Sequence, residues 1–362
     1  MDRDSKTWRR RQFLTRLAAF PPVIAAARSA SGGQAAGLKG TDTDPSALDA
    51  MVTANDRFFI RNHFPPPVLR VDDWKLSIQG HLRNRREIAY SEIRQMSSRQ
   101  LTVTVECAGN GVGGGAVGTA TWTGVCLRDL LAAAQFDPGV RCVRLVGADS
   151  GRIEASTPRI PYARSIPLEK ALDPNTLVAF EMNGAPLSPH HGFPVRVIVP
   201  GWYGMDSVKW LVGIEALDRE DLSHFMAESY VSSRLLAVGT ERHCLGEIRV
   251  KSQITKPLEG ERLPRQATAI RGLAWAGESQ VRSVEVSWDG GKSWMPAELE
   301  VQAQPYAWVA WKRLWTPPAS GLYTISARAI DNHGRVQPAA KDPLRFDQYE
   351  NNWYQVVHCE VL

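Results

Sequence analysis

The feature that most limits how this 362-residue chain can fold is a series of alternating segments beginning near residue 267. Residues 267–275, 281–288, 293–299, 308–315 and 321–331 are rich in β-branched and aromatic residues with a period of two, and turn chemistry separates them. Successive strand side chains point to opposite faces, so such segments bury one face by pairing into sheets. Between the second and third, Asp289-Gly290-Gly291 supplies residues that tolerate left-handed backbone and predicts a hairpin. Strands at roughly ten-residue spacing predict an all-β, Ig-like sandwich, which we bound at residues 248–362.

Upstream the pattern is mixed. Residues 74–79, 101–106, 141–146 and 195–199 read as strands, and 91–96 and 127–134 as short helices. They do not repeat as regular βαβ units, which predicts an α+β domain over residues 39–247. Two domains suit a chain of this length. Twelve tryptophans add weight to β-rich packing or a lined pocket.

Charge is informative through its location. The formal net charge of +5 is accounted for by Arg3, Lys6, Arg9, Arg10, Arg11, Arg16 and Arg28 set against Asp2 and Asp4. The remaining chain is formally neutral and carries no basic footprint for nucleic acid. Arg10-Arg11-Gln12-Phe13-Leu14, followed by a weakly apolar run, reads as a twin-arginine export signal within residues 1–38 and predicts a periplasmic protein. A basic tail is the alternative. No later stretch reaches the roughly 18 apolar residues of a membrane span.

The five cysteines at 107, 126, 142, 244 and 359 form no CxxC, CxxCH or zinc-type cluster, so covalent haem is not expected. An odd count leaves at least one thiol unpaired. Cys107 closes the strand 101–106 and enters a glycine-rich loop, where backbone can approach a bulky ligand. A thiolate there suits a transition metal; plain apolar packing is the alternative. The same loop, from Gly109 to Gly114, fits the GxGxxG of dinucleotide sites, with Asp129 about 20 residues on. The glycines and threonines of residues 115–124 cannot open the helix that such a site requires, so NAD is not expected.

Five segments carry a wider resemblance. They are Phe59-Ile60-Arg61-Asn62-His63, Glu106-Cys107-Ala108-Gly109-Asn110, Thr121-Trp122-Thr123-Gly124, His191-Gly192-Phe193-Pro194-Val195-Arg196, and Pro200-Gly201-Trp202-Tyr203-Gly204 running into Ser207-Val208-Lys209-Trp210. In this order, ahead of a β-sandwich, they resemble the sulfite oxidase family of molybdopterin proteins over almost all of residues 50–362. The resemblance implies a molybdopterin-binding α+β domain followed by the sandwich, with Cys107 as the protein ligand to molybdenum. Phe59, Ile60, Arg61, Asn62, His63, Asp149, His191, Arg196, Ser207, Val208 and Lys209 would hold the pterin. Arg and Lys suit its phosphate, and Asp and backbone its ring.

It further implies that Arg61 and Arg345 bind a small sulfur oxyanion, that Tyr230 is the catalytic tyrosine, and that His63 completes the pocket. Arginine fits this task because its planar fork matches paired oxygens. A packing tyrosine and a surface salt bridge are the plain alternatives for Tyr230 and Arg345. One departure is Ser229, where animal relatives place an aspartate. The implied activity is molybdenum-dependent oxidation of sulfite to sulfate in a homodimer. With no haem or flavin motif, electrons would leave to an external acceptor such as a c-type cytochrome. A sulfane substrate within the same family, or a non-catalytic exported Ig-like binding protein, are the competing readings.

Overall fold

The computed structural model describes residues 40–43, 50–301 and 303–362; the twin-arginine segment lies outside them. The first twelve strands are β1 (Lys75–Gly80), β2 (Arg86–Ala89), β3 (Arg99–Glu106), β4 (Val117–Cys126), β5 (Cys142–Gly151), β6 (Ile160–Pro167), β7 (Leu177–Met182), β8 (Ala185–Pro186), β9 (Arg196–Ile198), β10 (Leu211–Leu217), β11 (Val231–Leu235) and β12 (Thr240–Cys244). Four short helices interrupt them: α1 (Tyr90–Gln95), α2 (Leu127–Leu131), α3 (Leu168–Ala171) and α4 (His224–Ala227).

These strands build one sheet in the order β2-β1-β10-β5-β6, a second in the order β3-β4-β7-β8 with β9 on β7, and the hairpin β11-β12. The sheets are antiparallel except where β1 runs parallel to β10. Threonine ladders help fix the register of β3 on β4. Thr102 Oγ1 lies 3.1 Å from Thr121 Oγ1, and Thr104 Oγ1 lies 2.5 Å from Thr119 Oγ1. The GxGxxG loop therefore turns back into an antiparallel strand, with Glu106 opposite Val117, and does not lead into a helix.

The remaining strands are β13 (Lys251–Lys256), β14 (Glu261–Leu263), β15 (Thr268–Trp275), β16 (Val281–Ser287), β17 (Met295–Pro296), β18 (Glu298–Leu299), β19 (Val309–Trp315), β20 (Gly321–Asp331) and β21 (Val356–Val361). They form two sheets, β13-β15-β19-β18 and β14-β21-β20-β16-β17, that share one core. Ile254, Ile270 and Trp311 of the first meet Val284, Ile325 and Val357 of the second. The Asp289 turn joins β16 to β17, with Gly290 and Gly291 both left-handed and the Asp289 carboxylate accepting from Lys292 N, Ser293 N and Ser293 Oγ. Among the described residues no sheet mixes strands from before and after residue 247. A separate apolar cluster bridges the halves: Ala108, Val117, Tyr203 and Met205 pack with Leu273, Trp275 and Trp308.

Candidate active site and cofactor cradle

Cys107 leaves β3 at that junction. Its N–H donates to Ala116 O (2.9 Å), and its own carbonyl accepts from Asn110 N (2.8 Å). In the loop that follows, a Cβ on Gly109 or Gly111 would meet no atom within 4 Å, so this backbone faces open space that a ligand could enter. The other side of the loop is held by the C-terminal half. Glu350 N donates to Ala108 O (3.0 Å), Asn351 Nδ2 to Asn110 O (3.2 Å) and Lys251 Nζ to Gly111 O (3.3 Å).

Directly beneath, Glu106 and Lys251 form an ion pair at 2.8 Å with both side chains 3% exposed. Asn110 Nδ2 and Trp275 Nε1 donate to the Glu106 carboxylate at 3.0 and 2.8 Å, so both of its oxygens are satisfied. None of the five cysteines is joined in a disulfide. Burial pushes the Cys107 thiol above its ordinary pKa, against a backbone hydrogen bond at Gly109 and the Arg61 cation. A metal ligated here would displace that proton.

Tyr230 enters β11 with φ of 57°, a left-handed backbone rarely adopted by a bulky residue. Its hydroxyl hydrogen-bonds His63 Nε2. The His63 ring stacks on Tyr162 (5.0 Å, 13°) and leans on Phe225 (4.8 Å). His63 is exposed as a residue, yet aromatic rings surround its imidazole. This burial, helped by His224, Arg164 and Lys209, lowers its pKa to about 4. The Tyr230 hydroxyl is pushed well above its ordinary value by burial and by Cys107. At neutral pH the pair is therefore an uncharged hydrogen-bonding unit. Arg61 is the cation that acts on Cys107; its guanidinium pairs with Asp42, and Nη1 donates to Ile60 O (3.0 Å).

A residue that sequence reasoning missed lies under the tyrosine. Arg164 on β6 is fully buried, 5.5 Å from the Tyr230 ring centroid. Its Nε donates to Asp206 Oδ1 (2.8 Å), and its other nitrogens to Phe225 O, Leu245 O and Cys244 Sγ. Burial opposes the charge, but Asp206 outweighs it and holds the guanidinium above its ordinary pKa.

The expected pterin residues meet in a neighbouring cradle. Gly192, at φ of 103°, has no side chain to separate Lys209 from Arg196: a Cβ there would fall 3.0 and 3.1 Å from their Cβ atoms. Lys209 Nζ donates to Asn62 Oδ1 and to His190 O (3.0 Å), tying the cradle to the Arg61–His63 segment. Arg196 donates to His191 O (3.3 Å) and Ser207 O (3.0 Å) and lies 4.9 Å over the Trp122 ring. His191 Nε2 hydrogen-bonds Asn55 O (3.0 Å).

Burial lowers Arg196 to about 9 and Lys209 to about 7, and raises Asp149 to about 7. Among the described residues Arg196 Nε, Asp149 Oδ1 and Trp122 Nε1 are buried without a hydrogen-bond partner. Buried polar atoms are normally satisfied. Two cations that burial disfavours, beside orphaned donors and an orphaned acceptor, fit a phosphate-bearing, hydrogen-bonding ring. The pterin group passes that test. Phe59 and Val208 contribute differently from expectation: their side chains pack in apolar cores, leaving only backbone to a ligand. The Ile60 N–H is taken by Thr41 O at 2.9 Å.

Arg345 sits in a network of its own. Nε and Nη2 donate to the Asp347 carboxylate (3.1 and 2.6 Å), Nη1 to Glu350 (2.8 Å) and Nη2 also to Tyr349 O (3.1 Å). Two carboxylates occupy its fork. It reaches the site only through Tyr349, whose ring lies 5.3 Å from that of Tyr230.

Comparison with known proteins bears on the whole arrangement. The oxidoreductase molybdopterin binding domain model matches residues 63–225, and the Mo-co oxidoreductase dimerisation domain model matches residues 242–360. Mitochondrial sulfite oxidase of Rattus norvegicus is 33% identical over 87% of this chain and 62% of its own length. The chain thus spans somewhat less than two thirds of that relative. Sulfite oxidase of Gallus gallus is 32% identical over 82% of this chain and 70% of its own. The solved sulfane dehydrogenase SoxCD from Paracoccus pantotrophus superposes with a TM-score of 0.79 at 28% identity, covering 92% of this chain and 86% of that one. A strand-end cysteine beside a cation-rich, unsatisfied cradle, inside these two matched domains, identifies the chain as a member of the sulfite oxidase family.

Proposed function

We propose that the protein oxidises sulfite to sulfate with a molybdenum–pterin group and passes two electrons to an external acceptor, such as a c-type cytochrome. The observation that carries this reading is the chain of contacts that links Arg61 to Cys107, Cys107 to Tyr230 and Tyr230 to His63, with Asn62 tied to Lys209 of the Arg196–Lys209–Asp149 cradle. Cys107 would ligate the metal, and the cradle would hold the pterin and its phosphate. When bound, this group supplies two-electron oxidation with oxygen-atom transfer to sulfur.

The chain's own residues do the rest. Arg61 anchors the oxyanion through its planar fork. Tyr230, held protonated at neutral pH, presents a neutral hydroxyl that hydrogen-bonds neutral His63. Tyr162, Phe64 and Phe225 wall the floor and limit water there. We further propose export by the twin-arginine route and a twofold homodimer through the Ig-like C-terminal sandwich, testable by fractionation and by light scattering.

A sulfane substrate is the second reading, favoured by the nearly full-length likeness to a sulfane dehydrogenase. Molybdenum analysis with steady-state assays on sulfite, thiosulfate and nitrate, using cytochrome c or a dye as acceptor, separates them. Stoichiometric molybdenum with sulfite turnover supports the proposal. Molybdenum-loaded protein that is inert to sulfite overturns it.

A further inference from the structure

Arg61 meets its charged partner from the start of the described chain. Asp42 accepts from Arg61 Nη2, and the neighbouring Thr41 carbonyl accepts from Ile60 N (2.9 Å) and Arg61 Nη1 (3.4 Å). Thr43 N donates to Gly115 O (3.0 Å) and its hydroxyl to Arg57 O (2.7 Å), with the residue 3% exposed. The backbones touch so closely that a Cβ on Gly40 would lie 2.0 Å from Ile60 O, and one on Gly115 1.7 Å from Thr43 O. Residues 40–43 are thus a strap sewn to both the Arg61 segment and the Cys107 loop.

The ion pair on the strap is a different matter. Its side chains are 38% and 53% exposed. An open pair of this kind is weak, equivalent to about two- to fivefold in an equilibrium constant. The backbone stays in place while the carboxylate can be displaced.

We propose that Asp42 is a specificity-determining residue: its carboxylate takes the place of a small oxyanion on Arg61 and competes there with substrate and product alike. This rests on the reading of Arg61 as the oxyanion anchor in sulfite oxidation. Asp42 meets Nη2 through one carboxylate oxygen while the Ile60 and Thr41 carbonyls hold Nη1, so an oxyanion that takes Nη2 must displace Asp42 from it. Asp42 therefore raises the concentration of sulfite needed for half-saturation and weakens the hold on sulfate to the same degree.

The test uses cofactor-loaded wild type, Asp42→Asn, Asp42→Glu and Arg61→Gln. Sulfate binding is followed by calorimetric titration and sulfite turnover by steady-state kinetics. In Asp42→Asn the sulfate dissociation constant and the sulfite KM should fall together by about two- to fivefold with kcat unchanged. Asp42→Glu should restore both, and Arg61→Gln should raise both. Unchanged sulfate affinity in Asp42→Asn, while Arg61→Gln weakens it, overturns the proposal; sulfate binding indifferent to Arg61→Gln also overturns it. If no variant oxidises sulfite, the functional reading fails, and the sulfate titration still decides the role of Asp42.

Discussion

Two buried polar regions flank Cys107, and they obey opposite rules. At the domain junction, Glu106, Lys251, Asn110 and Trp275 satisfy one another, with opposite charges paired at 2.8 Å. In the cradle, Arg196 and Lys209 crowd together, and Arg196 Nε, Asp149 Oδ1 and Trp122 Nε1 find no partner among the described residues. The difference separates architecture from binding. A completed network fixes a shape, whereas an incomplete one of similar burial opposes its own charges until a ligand arrives.

The largest test of this contrast falls on the atom between the regions. Cys107→Ser should abolish molybdenum retention and turnover while leaving the melting temperature of cofactor-free protein within a few degrees. Full metal content by elemental analysis would refute the ligand assignment. At the junction, Lys251→Met strands a buried Glu106 and should destabilise cofactor-free protein by about 3–5 kcal/mol in denaturant titration. A loss below about 1 kcal/mol would show that the junction is not what it looks like.

In the cradle, Arg196→Met should behave the other way. Lowering an arginine to about 9 corresponds to roughly 5 kcal/mol of opposition to its charge. Losing its two hydrogen bonds, at about 1.5–3 kcal/mol each, gives back a similar amount. Cofactor-free stability should therefore change by no more than about 2 kcal/mol, while retention of the pterin drops at least tenfold. A large stability loss with normal cofactor content would erase the distinction.

The smallest effect concerns pH. Burial lowers His191 to about 4, so the folded state disfavours its proton. Its contribution to stability is complete above about pH 6.5 and is lost as pH falls toward 4. His191→Gln should flatten part of the decline in melting temperature of cofactor-free protein over that interval; an unaltered slope would exclude His191 as its source.

Much of this was legible in the residues, but unevenly. The C-terminal strands announced themselves because one face is buried and the other is not, as in β16 and β20. β6 and β7 did not, because they are buried on both faces over most of their length and lose the alternation. β4 showed only as a stretch unfit for a helix; its glycines and threonines become a strand through pairing with β3. The segment 293–299 splits into β17 and β18, which pair with different sheets. The predicted helix over 127–134 stops at Leu131, short of Gln135 at φ of 54°.

At the site, residue types pointed to the right segments, and partners decided their roles. Arg345 was readable as a cation, while Asp347 and Glu350, two and five residues on, determine what it binds. Arg164 carried a usable signal: a lone arginine inside the apolar run of β6 implies a buried counter-charge. Asp42 carried none, since it follows a linker-like stretch and meets Arg61 only in three dimensions.

The grip of the C-terminal half on the Cys107 loop bears on the order of events during biosynthesis. Lys251, Trp275, Glu350 and Asn351 all hold that loop or the residue before it. A ribosome releases them more than a hundred residues after the cysteine itself. The thiol thus emerges long before the residues that complete its surroundings, and the shape around it is finished only after the strands from Lys251 onward have been made.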